Sequence, residues 1–378
     1  MSGFKNVLRL SLLILSSPSW SQPSPSPKPY RIAALYPKLS ALNPLIGQEA
    51  ICITTGAIEA AQKEGLPIEL EVIDNQRNAL ETVRAAQTVV DKKFDGVVGT
   101  LDSSEALAAS PIFRKAGIPF IATMASNPGV TQDNPLAFRI QFDDNRQAKL
   151  LAKLTANELG AKKVLIVRNA SLPYSDFLGT EYQKQLRLLR PEIAMREIVI
   201  IEGFSDFEKL RDQIVAEKAD VNFLPLLQAQ LAPIYNQLKA LPGSFTLLGG
   251  DTVGGSPTFM NMLGEVSPRI KFYFVRGWDS RPVGPLADLY VRLQKAHCPH
   301  IAQSVVNGSS FDAVQAFIAA VRAKVKKSDA APLAEIIRRN RLRGVTGPLD
   351  FSESGSPTKP LYIYQIKPQT PSFWKLYQ

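Results

Sequence analysis

Histidine and cysteine are nearly missing from this chain, with two of each among 378 residues. Both histidines, His297 and His300, fall in one H-C-P-H segment around Cys298, and no second cluster of ligand-type side chains accompanies it. A four-ligand zinc site needs more than this, so no metal is expected. Equally absent are G-x-S-x-G, H-E-x-x-H, G-x-x-x-x-G-K-[ST], and a G-x-G-x-x-G after the first predicted strand. Without these the usual routes to a nucleophilic, metal-assisted or nucleotide-dependent enzyme are closed, and a non-enzyme that needs no cofactor is expected. Long apolar runs are missing too: none approaches the ~18 residues needed to span a membrane as a helix. Cys52 lies on a predicted helix and Cys298 in a loop; two cysteines allow one disulfide, but nothing in their spacing argues for it. A buried Cys52 on an apolar helix face is the expectation.

What is present describes a globular chain. Hydrophobic residues make up 45% and mean hydropathy is -0.04, enough to bury a sizeable core, and the length leans toward two domains. The net charge of +10 is spread over helix faces. Its densest clusters, Lys324, Lys326 and Lys327, then Arg338, Arg339, Arg341 and Arg343, read as cations near helix carboxyl ends, and no nucleic-acid partner is expected. Lys5 and Arg9 precede the apolar run 10–15, which is followed by Ser19-Trp20-Ser21, a small-x-small cleavage pattern. Residues 1–21 are therefore expected to be a secretory signal and the mature protein periplasmic. No Cys follows the apolar run, which argues against a lipid anchor. Residues 22–29, Q-P-S-P-S-P-K-P, read as an extended spacer.

From residue 31 onward, short β-rich runs alternate with amphipathic stretches. Strands are predicted at 31–36, 68–74, 96–99 and 118–122, with helices at 45–63, 79–92 and 104–116. The series restarts after Asp143, with helices at 146–159, 174–189, 206–216 and 230–241 and strands at 163–167, 196–201, 221–224, 245–248 and 271–276. Such β-α-β order demands parallel sheets covered by helices on both faces. The fold class expected is α/β, with two doubly wound parallel-sheet lobes joined by a multi-crossover hinge. The helices at 285–296, 310–326 and 333–341 need an existing sheet to pack on and are expected to return to the first lobe, whereas β-like 349–351 and 361–366 return to the second. Lobe one is then 30–142 plus 276–341, and lobe two 143–275 plus 342–378.

Two half-sites stand where predicted strands give way to helices. One comprises G-T-L-D-S-S-E-A-L at 99–107 with I-A-T-M-A-S-N-P at 121–128; the other is L-G-G-D-T at 248–252. The first offers N–H and hydroxyl donors for an anion, the second a carboxylate, so closing lobes would trap a ligand with a negative and a positive end, such as a free amino acid.

These residues resemble the type I periplasmic binding proteins of the leucine/isoleucine/valine-binding family, the solute-capturing subunits of amino-acid ABC transporters. The resemblance covers about residues 30–367. It rests on S-S-E-A-L-A-A-S-P-I-F-R-K-A-G-I-P at 103–119, S-N-P-G-V-T at 126–131, A-F-R-I at 137–140, L-G-A-K-K-V at 159–164, F-D-A-V at 311–314 and G-V-T-G-P-L-D-F-S-E-S-G at 344–355. It implies that Ser103, Ser104 and Ser126 hold the ligand carboxylate, that Asp251 takes the ammonium, and that Tyr174 and Met124 contact the side chain. Read alone, Ser103 could equally cap its helix, Asp251 could be a cap or Asx-turn residue, and Tyr174 could be packing. The resemblance further implies a neutral or aliphatic amino-acid ligand, hinge closure, delivery to membrane permease subunits, and a monomer. A sensing module or regulator would use the same cleft, and sequence does not separate the two. Departures from the family's pattern are Leu39-Ser40 running into Ala41-Leu42-Asn43-Pro44, Ser175 after the tyrosine, Pro-Leu-Leu-Gln at 225–228, and Met124 in place of a small residue. They bear on which amino acid fits.

Overall fold

A computed structural model describes residues 28–39, 45–254, 257–351, 354–367 and 372–377. The expected signal at 1–21 and the first-loop departure at 40–44 lie outside the described residues. Strands β1 (Tyr30–Leu35), β2 (Ile68–Ile73), β3 (Gly96–Gly99), β4 (Phe120–Ala122) and β5 (Ala137–Arg139) form one sheet in the order β2-β1-β3-β4-β5, parallel throughout. Ile32 to Leu35 are wholly buried on both faces, as expected of a central parallel strand covered on two sides. The covering helices are α1 (Ile46–Lys63), α2 (Ala79–Asp91) and α3 (Ser103–Ala116).

The second sheet repeats the plan. β6 (Lys163–Asn169), β7 (Ala194–Ile200), β8 (Val221–Leu224), β9 (Phe245–Gly249) and β10 (Ile270–Arg276) run parallel in the order β7-β6-β8-β9-β10. Around them lie α4 (Asp144–Lys153), which continues into a π-helical turn at Leu154–Glu158, then α5 (Pro173–Leu189), α6 (Phe207–Glu217), α7 (Gln228–Lys239) and α8 (Pro257–Leu263). The sequence led us to expect a parallel sheet, but this one is not parallel throughout. β13 (Leu361–Ile366) joins antiparallel to β10, and β14 (Ser372–Tyr377) antiparallel to β13.

The chain between these strands returns to the first sheet. Helices α9 (Ala287–His297), α10 (Val305–Lys326) and α11 (Leu333–Arg339) supply Tyr290, Phe311, Phe317 and Ile336 to the core that also holds Ile32, Ile53 and Val98. The approach is close: a Cβ on Gly96 of β3 would lie 2.3 Å from the Phe317 ring. The run at 349–351, placed with the second lobe on sequence, instead follows the small antiparallel hairpin of β11 (Leu342–Gly344) and β12 (Gly347–Leu349). Val345, Leu349 and Phe351 pack into the first-sheet core, so the expected boundary at 342 is too early.

Cys52 and Cys298 form a disulfide with Cα atoms 5.6 Å apart, bridging 246 positions in sequence. This corrects the expectation of a lone buried Cys52. The bond ties α1 to the residue capping α9, a proximity that arises only when α9 folds back on the first sheet, so spacing along the chain could not reveal it.

Candidate functional site

Both sheets share the order 2-1-3-4-5, in which the chain reverses direction of winding beside the first strand laid down. The two βα connections on either side of that strand diverge and leave a crevice at the carboxyl ends of the strands. A cavity of about 440 Å³ lies where the crevices face each other. Its wall is drawn from strand ends: Leu101, Asp102, Ser103 and Ser104 after β3, Met124 and Ser126 after β4, Leu172 to Tyr174 after β6, Leu227 and Gln228 after β8, Asp251 and Thr252 after β9, and Arg276 ending β10. Thus Ser103, Ser104, Ser126, Met124, Tyr174 and Asp251 all line one cavity. At its edge the Asn127 side chain donates to the Pro173 carbonyl at 3.0 Å, joining the first half-site to the start of α5 in the other lobe.

The anion-suited half is built on α3. Its capping residue is Asp102, not Ser103, and the Asp102 side chain makes no cap bond because Arg77 grips it through Nε at 2.7 Å and a second nitrogen at 3.3 Å. Ser103 and Ser104 are consequently first-turn residues, whose amides the helix cannot satisfy and whose dipole end favours negative charge. Ser103 is buried to 3% and Ser126 to 2% exposure. The Ser126 hydroxyl lies 3.1 Å from Asp144 Oδ2. Asp144 is fully buried, and burial first, then the charge of Asp251, raises its carboxyl well above the usual range.

The opposite half carries Asp251, the first residue of a 3-10 turn, Asp251–Val253. Burial raises its pKa, while hydrogen bonds from Gln147 and Tyr174 oppose the rise. Tyr174 follows the helix-starting Pro173 of α5; its hydroxyl lies 3.4 Å from Thr252 Oγ1, and Thr252 donates to the Leu226 carbonyl at 2.7 Å. Gly250 allows the tyrosine to sit there, since a Cβ at 250 would come within 2.1 Å of the Tyr174 hydroxyl. Met124 receives a contact from Gln141 Nε2 at 3.2 Å. Elsewhere the wall is apolar, with Ile46, Leu227, Met262, Val305 and Val306, and beside them Glu49 accepts from Ser304.

Sequence reasoning missed Arg77, Gln147, Asp144 and Arg276. The first three act through Asp102, Asp251 and Ser126, contacts invisible without the fold. Arg276 carried a readable signal, a lone cation at the carboxyl end of an apolar strand.

The arrangement presents donors on one side of a half-enclosed cavity and a carboxylate on the other. Comparison with known proteins agrees with a binding role. An amino-acid-binding protein of Pseudomonas aeruginosa is 28% identical over 196 residues, a match spanning 49% of this chain and 51% of that relative. A leucine-, isoleucine-, valine-, threonine- and alanine-binding protein of the same organism is 24% identical over 79% of this chain and 77% of its own length. Among solved structures, the leucine-binding protein LivK of Thermotoga maritima superposes with a TM-score of 0.80 at 22% identity, covering 92% of this chain and 98% of that one. A Rhodopseudomonas palustris solute-binding protein in complex with 4-hydroxybenzoate gives 0.78 at 16% identity, covering 93% and 97%. The family model described as periplasmic binding protein matches residues 29–371, and the chain belongs to that family, in its type I, leucine/isoleucine/valine-binding branch.

Proposed function

We propose that this protein is the extracytoplasmic solute-binding subunit of an ABC importer and that it captures a free α-amino acid between its two lobes, 30–142 with 276–351 and 143–275 with 354–378. The observation that carries this reading is the opposition of Ser103, Ser104 and Ser126 to Asp251 and Tyr174 across one cavity. The ligand carboxylate meets the α3 amino end and the two buried hydroxyls. The ammonium pairs with Asp251, and Tyr174 with Met124 covers the aliphatic carbons. Closure about the crossings between the sheets buries the ligand, and the closed form is what permease subunits recognise. The Cys52–Cys298 disulfide supports a location outside the cytoplasm, because such bonds persist in oxidising compartments.

A thermal-shift screen of the mature chain against all common L-amino acids tests the reading. Ligand at ~100 times its dissociation constant stabilises by about 2.7 kcal/mol, a shift of several degrees. An aryl carboxylate or sugar that moves the melting curve while no amino acid does would overturn it. N-terminal sequencing of envelope-fraction protein tests export, with Gln22 the expected start and an intact Met1 in the cytosol the opposing result.

A further inference from the structure

Two guanidinium groups line the cavity, and they are not equivalent. Arg77 is neutralised by Asp102, through two hydrogen bonds. Arg276 has no carboxylate within ion-pairing distance among the described residues: its neighbours are the Gly254 carbonyl, to which it donates, and two aromatic rings, Tyr364 at 4.9 Å and Phe274 at 5.5 Å from the guanidinium carbon. The carboxylate whose charge acts on it, Asp279, is held by Arg281, through Nε at 2.8 Å and a second nitrogen. The guanidinium lies over both rings, and its bond to the Gly254 carbonyl places it against the same turn that carries Asp251. Of its five N–H donors, the Gly254 carbonyl and the Tyr364 hydroxyl occupy two. The remainder form a fixed fork without a counter-ion on the wall of a cavity, and a partly buried cation in that state is costly unless a ligand supplies the anion.

We propose that Arg276 receives a second anionic group of the ligand, so that the solute is an amino acid whose side chain ends in a carboxylate, glutamate and its longer homologues being the simplest members. This rests on the amino-acid reading above and replaces the neutral side chain expected from sequence. Ile46, Leu227, Met262, Val305 and Val306 in the same lining suit the side-chain methylenes, and the cavity of about 440 Å³ has room for them.

Calorimetric titration of the mature protein with L-glutamate, L-glutamine, L-leucine and glutarate tests the inference. Glutamate should bind at least about tenfold more tightly than glutamine or leucine, the margin of one charge-assisted hydrogen-bonded pair. Arg276→Gln should lose about 30-fold or more for glutamate and change glutamine less than about threefold, whereas Arg276→Lys should keep most of the preference. Leucine or glutamine binding more tightly than glutamate to the wild type overturns the proposal, and that comparison needs no variant to fold. An equal loss for glutamate and glutamine in Arg276→Gln also overturns it, making Arg276 a packing residue. Glutarate binding as tightly as glutamate breaks the amino-acid reading instead, because Asp251 would then contribute nothing to selection.

Discussion

Gln147 grips Asp251 from two sides: its amide oxygen accepts the Asp251 backbone N–H at 2.8 Å, and its amide nitrogen donates to Asp251 Oδ1 at 3.1 Å. The same nitrogen donates to Asp144 Oδ1 at 2.7 Å, and Asp144 reaches the Ser126 hydroxyl. A continuous chain, Ser126–Asp144–Gln147–Asp251, therefore links the half-site suited to an anion with the half-site suited to a cation. Two carboxyl groups held by one amide repel each other when ionised, so a cation beside them favours their ionised forms.

Asp251→Ala is expected to weaken amino-acid binding by roughly 2–5 kcal/mol, because it leaves the ammonium without its partner in a closed cleft. Ser126→Ala should cost less, about 1–3 kcal/mol, as one hydrogen bond among several. A deaminated analogue is the control: the wild type should reject it strongly and Asp251→Ala should hardly discriminate. Since the Asp251 carboxyl is raised by burial and must be ionised to pair, affinity should fall as pH drops through that raised value. Calorimetry from pH 4.5 to 8 that finds constant affinity would remove Asp251 from the ammonium role.

Gly250→Ala tests how the tyrosine is placed. The new Cβ would come within 2.1 Å of the Tyr174 hydroxyl, 2.9 Å of Leu178 Cδ2 and 3.1 Å of Gln147 Oε1, so Tyr174 must leave its position by Asp251. Overpacking of this kind costs about 1–3 kcal/mol of stability, and ligand affinity should fall about tenfold or more because both Tyr174 and Gln147 are displaced. An unchanged dissociation constant would mean that neither residue orients the site.

How far the sequence could go is set by which signals are local. Apolar periodicity and turn residues located β1 to β4 and most helices within a few positions, because these elements bury a continuous face. β5 is three residues long, too short for a period, and was legible only as the motif A-F-R-I. The start of α10 at Val305 was missed because Val305, Val306 and Gly308 are poor helix formers, while the tertiary core that buries them and the Ser304 cap on the Asn307 amide at 3.1 Å override propensity. The six proposed site residues were placed by family resemblance at strand ends, where the doubly wound plan puts a crevice. Gln147 and Arg77 escaped because their role is to position other side chains across 104 and 25 residues of sequence.

The disulfide gives a stability prediction. It closes a loop of 246 residues between α1 and the end of α9, and both elements belong to the first-sheet core. Reduction, or Cys52→Ala with Cys298→Ala, should cost about 2–5 kcal/mol and lower the melting temperature by several degrees. Ligand affinity should hold, since neither cysteine lines the cavity. Equal melting temperatures with and without reductant, with free thiols absent in the oxidised sample, would show that the bond adds nothing to the native state.

Glu105, in the first turn of α3, contributes to the pH response of the fold. Its side chain is 1% exposed; Oε2 accepts from the Leu101 amide and from Asn75, each at 3.1 Å, while Oε1 meets no donor. Burial, joined by the negative charge of Asp102, pushes its carboxyl up to about 8, and Arg77 offsets only part of this. An acid whose folded pKa exceeds its unfolded value, ~4.3, contributes stability that is complete below the unfolded value and is lost as pH rises through the folded one. The loss therefore develops between about pH 4.5 and 8 and is of order 5 kcal/mol at pH 9. Glu105→Gln retains an oxygen for Leu101 and Asn75 and has no charge to desolvate. Its melting temperature should match the wild type near pH 4.5 and exceed it by several degrees at pH 9. A difference of the same size at both pH values would assign the effect to packing, and no difference at pH 9 would mean that ionisation of Glu105 carries no cost in the native protein.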